Sequence, residues 1–275
     1  MDWSLVLISQ GITSTIQEPG DQPFWRLEVA EEEYPHAIEV IRQYRLENRH
    51  WAWRKDLPVS GFLFDWASLA WVLLITVFYW ASVKNGAFKQ VGLMDVAAVS
   101  GGEWWRLFTA VWLHGDIAHL AGNASIGVVL LGLAMGLYGT GAGLLAAYLS
   151  GVGGNLLVWL VASGPRFSLG ASGLVMGCVG LLAAQPFASW GRRRRRLRLL
   201  FVGIAGGTML FVLLGLGPGT DVMAHFGGFV SGFLLGRAGA WLRYKPESGP
   251  INVAAGILFA LLTLGPWLLA VLGQG

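Results

Sequence analysis

The sequence predicts an all-α polytopic membrane protein of seven transmembrane helices, preceded by a small soluble α+β domain. Three observations carry that reading. Of the 275 residues, 55% are hydrophobic and only 13% charged, whereas soluble domains sit near half apolar and a quarter charged. From Gly61 onward the apolar residues fall into runs of roughly 20, the length that a bilayer core requires. The first stretch differs in character, so residues 1–56 are read as the soluble domain and 57–275 as the membrane domain.

Within the N-terminal domain, "WSLVLISQGI" is rich in β-branched and aliphatic residues, and "FWRLEV" alternates Trp25, Leu27 and Val29. Both read as short strands. "EEEYPHAIEVIRQYRLENR" reads as a helix, with Ala37, Ile41 and Tyr44 on one face. Acids crowd its start and Arg42, Arg45 and Arg49 its end, as the helix dipole prefers. The N-terminus lacks the basic start and small-residue cleavage site of a signal peptide. His36 and His50 read as surface residues, and the domain shows no catalytic motif and leaves its partner unidentified.

The expected spans lie near 62–83, 114–137, 141–162, 169–188, 199–217, 221–242 and 252–273. Lys84 to Leu113 is too long and mixed for a simple turn, and the tryptophans of "GGEWWRLFTAVWLHG" suit a structure lying in the membrane interface. Arg54 and Lys55 precede the first span, the run "GRRRRRLR" separates the fourth and fifth, and Arg237, Arg243 and Lys245 lie at or after the end of the sixth. With seven spans these charges share one side, which the positive-inside rule makes cytoplasmic. The N-terminus is then cytoplasmic and the C-terminus outside, as expected of an integral protein of a bacterial plasma (inner) membrane. The arginine run accordingly fixes topology in the lipid bilayer, and no nucleic acid partner is expected.

Polar groups within spans are costly, so each asks for an explanation. His119 and Asn123 are spaced i, i+4 and project from one face of the second span. Ser172 begins the fourth span, about six residues past Arg166, and His225 begins the sixth, about four past Asp221. At ~1.5 Å per residue all four side chains share one layer near the outer boundary. Gly173 and Gly177 form a GxxxG on span four; Gly228, Gly232 and Gly236 form a double one on span six. Such spacing lets helix backbones approach closely in lipid, which would bring Ser172 to His225. A serine becomes nucleophilic when an adjacent base takes its proton, and neutral imidazole suits that task. Asn123, His119 and the backbone N–H of Ser172 would then donate to the developing oxyanion. Together these parts make an acyl-transfer site.

These residues resemble those of the rhomboid intramembrane serine proteases. The matching pieces are "EWWRLFT" in the loop, "HLAGN" (HxxxN) in span two, "GASG" (GxSG) in span four and "AHFGGFVSG" (AHxxGxxxG) in span six. They occur in family order and spacing over about Gly61 to Arg243. The resemblance implies a six-helix core plus a seventh C-terminal transmembrane helix. It implies a catalytic Ser172–His225 dyad without a third acid, oxyanion roles for His119 and Asn123, and a structural loop role for Trp105 and Arg106. With Gly170 flanking the serine, the glycines Gly170, Gly173, Gly177, Gly228 and Gly232 are read as helix-packing residues. The implied substrates are single-span membrane proteins cut within or beside the outer part of their helix. Met176 departs from the pattern, standing where many relatives carry an aromatic residue that packs against the histidine.

Three functions compete: a serine endopeptidase, a non-catalytic binder of membrane clients with the same fold, and a transporter. The second usually goes with loss of the serine or histidine, and this chain keeps both. The third lacks mid-membrane charge pairs. No HExxH or cysteine cluster occurs, so neither a metal nor a cofactor is expected. The single Cys178 reads as a small core residue. His114 and Asp116 read as loop-structure residues, and Asp221 as a helix-start residue.

Overall fold

A computed structural model describes residues 2–17, 25–48, 63–185, 221–241 and 248–273. The chain divides into two compact units, Met1–Gly61 and Phe62–Gly275.

In the first unit, helix α1 (Asp2–Ser9) leads into strand β1 (Ser14–Gln17), which pairs antiparallel with β2 (Arg26–Val29). Helix α2 (Tyr34–Glu47) follows one turn of 3-10 helix. Leu7, Ile12 and Ala37 form the core, flanked by Leu27, Val29, Val40 and Ile41. The expected strand at "WSLVLISQGI" is instead the helix α1, a correction with a local cause. Its buried positions, Ser4 and Leu7, are one helical turn apart. Gly11, at φ +78°, closes the helix: its N–H donates to the Ile8 carbonyl and that of Ile12 to the Leu7 carbonyl. That pair of bonds is a Schellman ending, for which glycine is the favoured residue. The strand begins only after it.

In the second unit, α3 (Ser68–Lys84) is followed after Asn85 by α4 (Gly86–Gly92), bent by 119° from it. Asn85 accepts from the Phe88 N–H and so caps α4. Strand β3 (Met94–Asp95), α5 (Val96–Ser100) and α6 (Arg106–Thr109) complete the segment expected to lie in the interface, ending in a 3-10 turn at Ala110–Trp112. Helices α7 (Ile117–Tyr138) and α8 (Thr140–Val161) form an antiparallel hairpin around Gly139. Strand β4 (Phe167–Ser168) pairs with β3, and α9 (Ser172–Ala184), α10 (Val222–Trp241) and α11 (Gly249–Leu272) follow. The expected fifth span, 199–217, and the arginine run lie outside the described residues.

Among the described residues, α7, α8 and α11 are each long and apolar enough to cross a membrane. The outer surface is correspondingly apolar. On α3, Trp71, Ile75 and Tyr79 face inward while Leu69, Leu73, Val77 and Trp80 are exposed. On α11, Ile257, Leu261, Leu264 and Leu268 are exposed. Helices satisfy their own backbone groups, so such a surface is stable where lipid covers it.

The interior is held by close backbone contacts and a few buried polar groups. α9 and α10 touch through their small residues: a Cβ at Gly228 would overlap the Gly173 carbonyl, and one at Gly232 the Gly177 carbonyl. α8 fits the same way, Gly154 against the Ala224 carbonyl and Gly177 against Ser150. The Tyr148 hydroxyl bonds the carbonyls of Phe108 and Leu262, both at 3.2 Å, tying α8 to α6 and α11.

Candidate active site

Each polar side chain singled out in the sequence is presented by a helix start. Asp116 caps α7 by accepting from the His119 N–H at 2.8 Å. His119 therefore lies in the first turn, with Asn123 one turn further on the same face. Ser172 is the first residue of α9. Asp221 accepts from the Ala224 N–H, and His225 follows in the first turn of α10.

These four residues line one cavity of about 630 Å³. His225 and Asn123 are 3% and 8% exposed, and Ser172 and His119 are half-buried, so the cavity narrows from an open mouth to a buried floor. The Asn123 Nδ2 is buried without a hydrogen-bond partner among the described residues, a costly state for a donor that is not waiting for an acceptor. The His119 Nδ1 accepts from the Gly115 N–H at a long 3.5 Å, which leaves Nε2 as the protonated nitrogen. That Nε2 points at Gly170: a Cβ there would lie 2.8 Å from it.

Gly170 has φ +131°, a conformation that only glycine adopts without strain, and its open side is filled by His119. Its N–H donates to the Ala110 carbonyl at 3.0 Å. So the first glycine of "GASG" does two things: it turns the chain into α9, and it lets the imidazole of His119 on α7 reach the start of that helix. Ser172, at that start, has a backbone N–H outside the helical ladder. Met176 is buried on the cavity wall one turn after Ser172. His114 is buried edge-on to His119, with ring centroids 5.2 Å apart.

A family model described as the Rhomboid domain matches residues 101–241, which include all four of these positions. The chain belongs to the rhomboid family. "RHOMBOID-like protein 5" of Arabidopsis thaliana is 33% identical over 172 residues, covering 60% of this chain and 52% of the relative. "Rhomboid protease GluP" of Bacillus subtilis (strain 168) is 30% identical over 177 residues, 60% of this chain and 33% of the relative. "Rhomboid-like protease 3" of Toxoplasma gondii is 28% identical over 194 residues, 66% of this chain and 72% of the relative. The chain spans about half the length of the first of these relatives. It is thus a rhomboid with relatives named as proteases, carrying several helices apolar enough to span a membrane.

In this rhomboid the "EWWRLFT" segment is a knot around the buried Arg106 and Thr109. The Arg106 guanidinium donates from Nη1 to the carbonyls of Gln90 and Leu93, both at 2.8 Å, and from Nε to Glu103 at 2.6 Å. The Thr109 hydroxyl donates to the Gly92 carbonyl at 2.7 Å. Trp105 packs against the core, half-buried. The knot is tied to the serine-bearing segment by the β3–β4 pair, by the Val96 N–H on the Arg166 carbonyl, and by Gly170 on Ala110. The sequence reading did not weigh Asn155, which lines the same cavity from α8. Its signal was available: an amide in an apolar span, directly after Gly153 and Gly154.

Proposed function

We propose that this rhomboid is an intramembrane serine endopeptidase working through a Ser172–His225 dyad. The observation that carries the proposal is the shared cavity: a serine at a helix start, a histidine on the helix packed against it, and two further donors from α7. His225 takes the Ser172 Oγ proton as Oγ attacks the substrate carbonyl carbon. The oxyanion receives hydrogen bonds from Asn123 Nδ2, His119 Nε2–H and the Ser172 backbone N–H, aided by the positive end of α9. His225 then protonates the leaving amine, and water cleaves the acyl-enzyme by the reverse proton path. The buried Asn123 Nδ2, without a partner among the described residues, supports its place in this scheme.

The substrates are transmembrane proteins entering the inlet at the outer part of the bilayer. The positive-inside rule orients the N-terminal unit to the cytoplasmic side and the turn at 163–165 to the outside. The test is cleavage of a single-span membrane substrate in liposomes. Ser172→Ala and His225→Ala lose activity by at least about 10²-fold with the protein still folded, and Asn123→Ala by about 10²- to 10³-fold. Cleavage retained in either dyad variant rejects the dyad.

A further inference from the structure

Asn155 is the one carboxamide that α8 contributes to the cavity wall. It follows Gly154, whose Cα abuts the Ala224 carbonyl, so it lies at the level of His225. It is 5% exposed, and its Nδ2 donates to the Leu107 carbonyl at 2.8 Å. That bond fixes which way the carboxamide faces, because the nitrogen must point to the loop. The Oδ1 is not among the buried unpartnered atoms, and no described residue donates to it. It is therefore an acceptor held rigid and left accessible in the cavity. The two carboxylates that line the same cavity, Asp116 and Asp221, each cap a helix start through Oδ1, α7 and α10 respectively.

The cavity thus presents carboxamides of opposite sense. Among the described residues, Asn123 offers a donor with no partner, and Asn155 an acceptor with none. A peptide backbone supplies the complement, a C=O for the first and an N–H for the second; an ester supplies only the C=O. We propose that Asn155 is a substrate-binding residue whose Oδ1 accepts a backbone N–H beside the scissile bond, so that the site favours amide over ester linkages. The role rests on the protease reading above. A site that binds an N–H through a buried acceptor penalises a ligand lacking it, because the acceptor is left unpaired.

The test uses full-length protein in liposomes and a panel of single-span substrates in which one backbone N–H near the cleavage site is replaced by an ester oxygen. With the wild type, one position raises KM by roughly 3- to 10-fold. With Asn155→Leu, KM for the all-amide substrate rises by a similar factor and the ester at that position adds no further loss. Labelling of Ser172 by a fluorophosphonate, which has no such N–H, changes by less than about twofold in the variant. If Asn155→Leu does not fold, judged by thermal unfolding in detergent, Asn155→Ser is read in the same way. Parallel loss of labelling and cleavage makes Asn155 a loop anchor only and overturns the proposal. An undiminished ester penalty in the variant, or no penalty at any position in the wild type, overturns it as well. A wild type that neither labels nor cleaves marks failure of the protease reading instead.

Discussion

At Arg106 one guanidinium serves three acceptors: the Gln90 and Leu93 carbonyls and the Glu103 carboxylate. Arg106 is 8% exposed, so removing it strands two carbonyls that water reaches poorly. Arg106→Leu should cost on the order of 3 kcal/mol, and Arg106→Lys a good part of that, because an ammonium lacks the planar fork. Thermal unfolding in detergent checks both, and an unchanged Tm for Arg106→Leu contradicts the role. At this scale the sequence was most readable where chemistry breaks the apolar pattern. Ser172, His225, His119 and Asn123 stand out because polar groups in spans require a reason. Asn155 did not, since its span was read for length alone. Its role follows from the Leu107 carbonyl, 48 residues earlier in the chain, which no local pattern announces.

Between elements, the contact that matters most is that of α9 with α10. Their backbones meet at Gly173 with Gly228 and at Gly177 with Gly232, and the first pair lies beside the two proposed catalytic side chains. Gly228→Val should push the helices apart, costing about 1–3 kcal/mol as overpacking does. Activity should suffer more than stability, because a displacement near 1 Å at the dyad costs roughly 10²-fold in rate. Comparing kcat/KM with Tm for this variant separates the two effects; equal activity at reduced Tm contradicts the alignment role. The GxxxG spacing is the sequence signal that corresponds to this contact. The interior of the interfacial segment was not: α4, α5 and α6 are short pieces set by caps at Asn85 and Asp95 and by the Arg106 knot. The misreading of α1 has a related origin, since its β-branched Val6 and Ile8 suggested a strand while Gly11 supplied the helix ending. Helix α11 was legible as an apolar run, but not its contacts. Trp267 stacks on Phe88 at 4.2 Å between centroids, and Tyr148 joins α11 to α6, so the helix braces the α4–α6 segment.

For the whole molecule, apolar exposure on α3 and α11 calls for lipid, whereas the orientation in that lipid rests on charges in the sequence. The native Cys178 is fully buried, so engineered cysteines can be read without background. Ser163→Cys, in the exposed turn after α8, should react with an impermeant maleimide from the outer side, and Ser9→Cys only after the membrane is opened. Labelling in the reverse order inverts the topology and moves the cavity to the other face. The central claim is chemical, and mass spectrometry of the intact, fluorophosphonate-treated protein tests it most directly. The account predicts a single adduct on Ser172 in the wild type, and its loss in His225→Ala. An adduct on another residue, or labelling of Ser172 that is indifferent to His225, contradicts it.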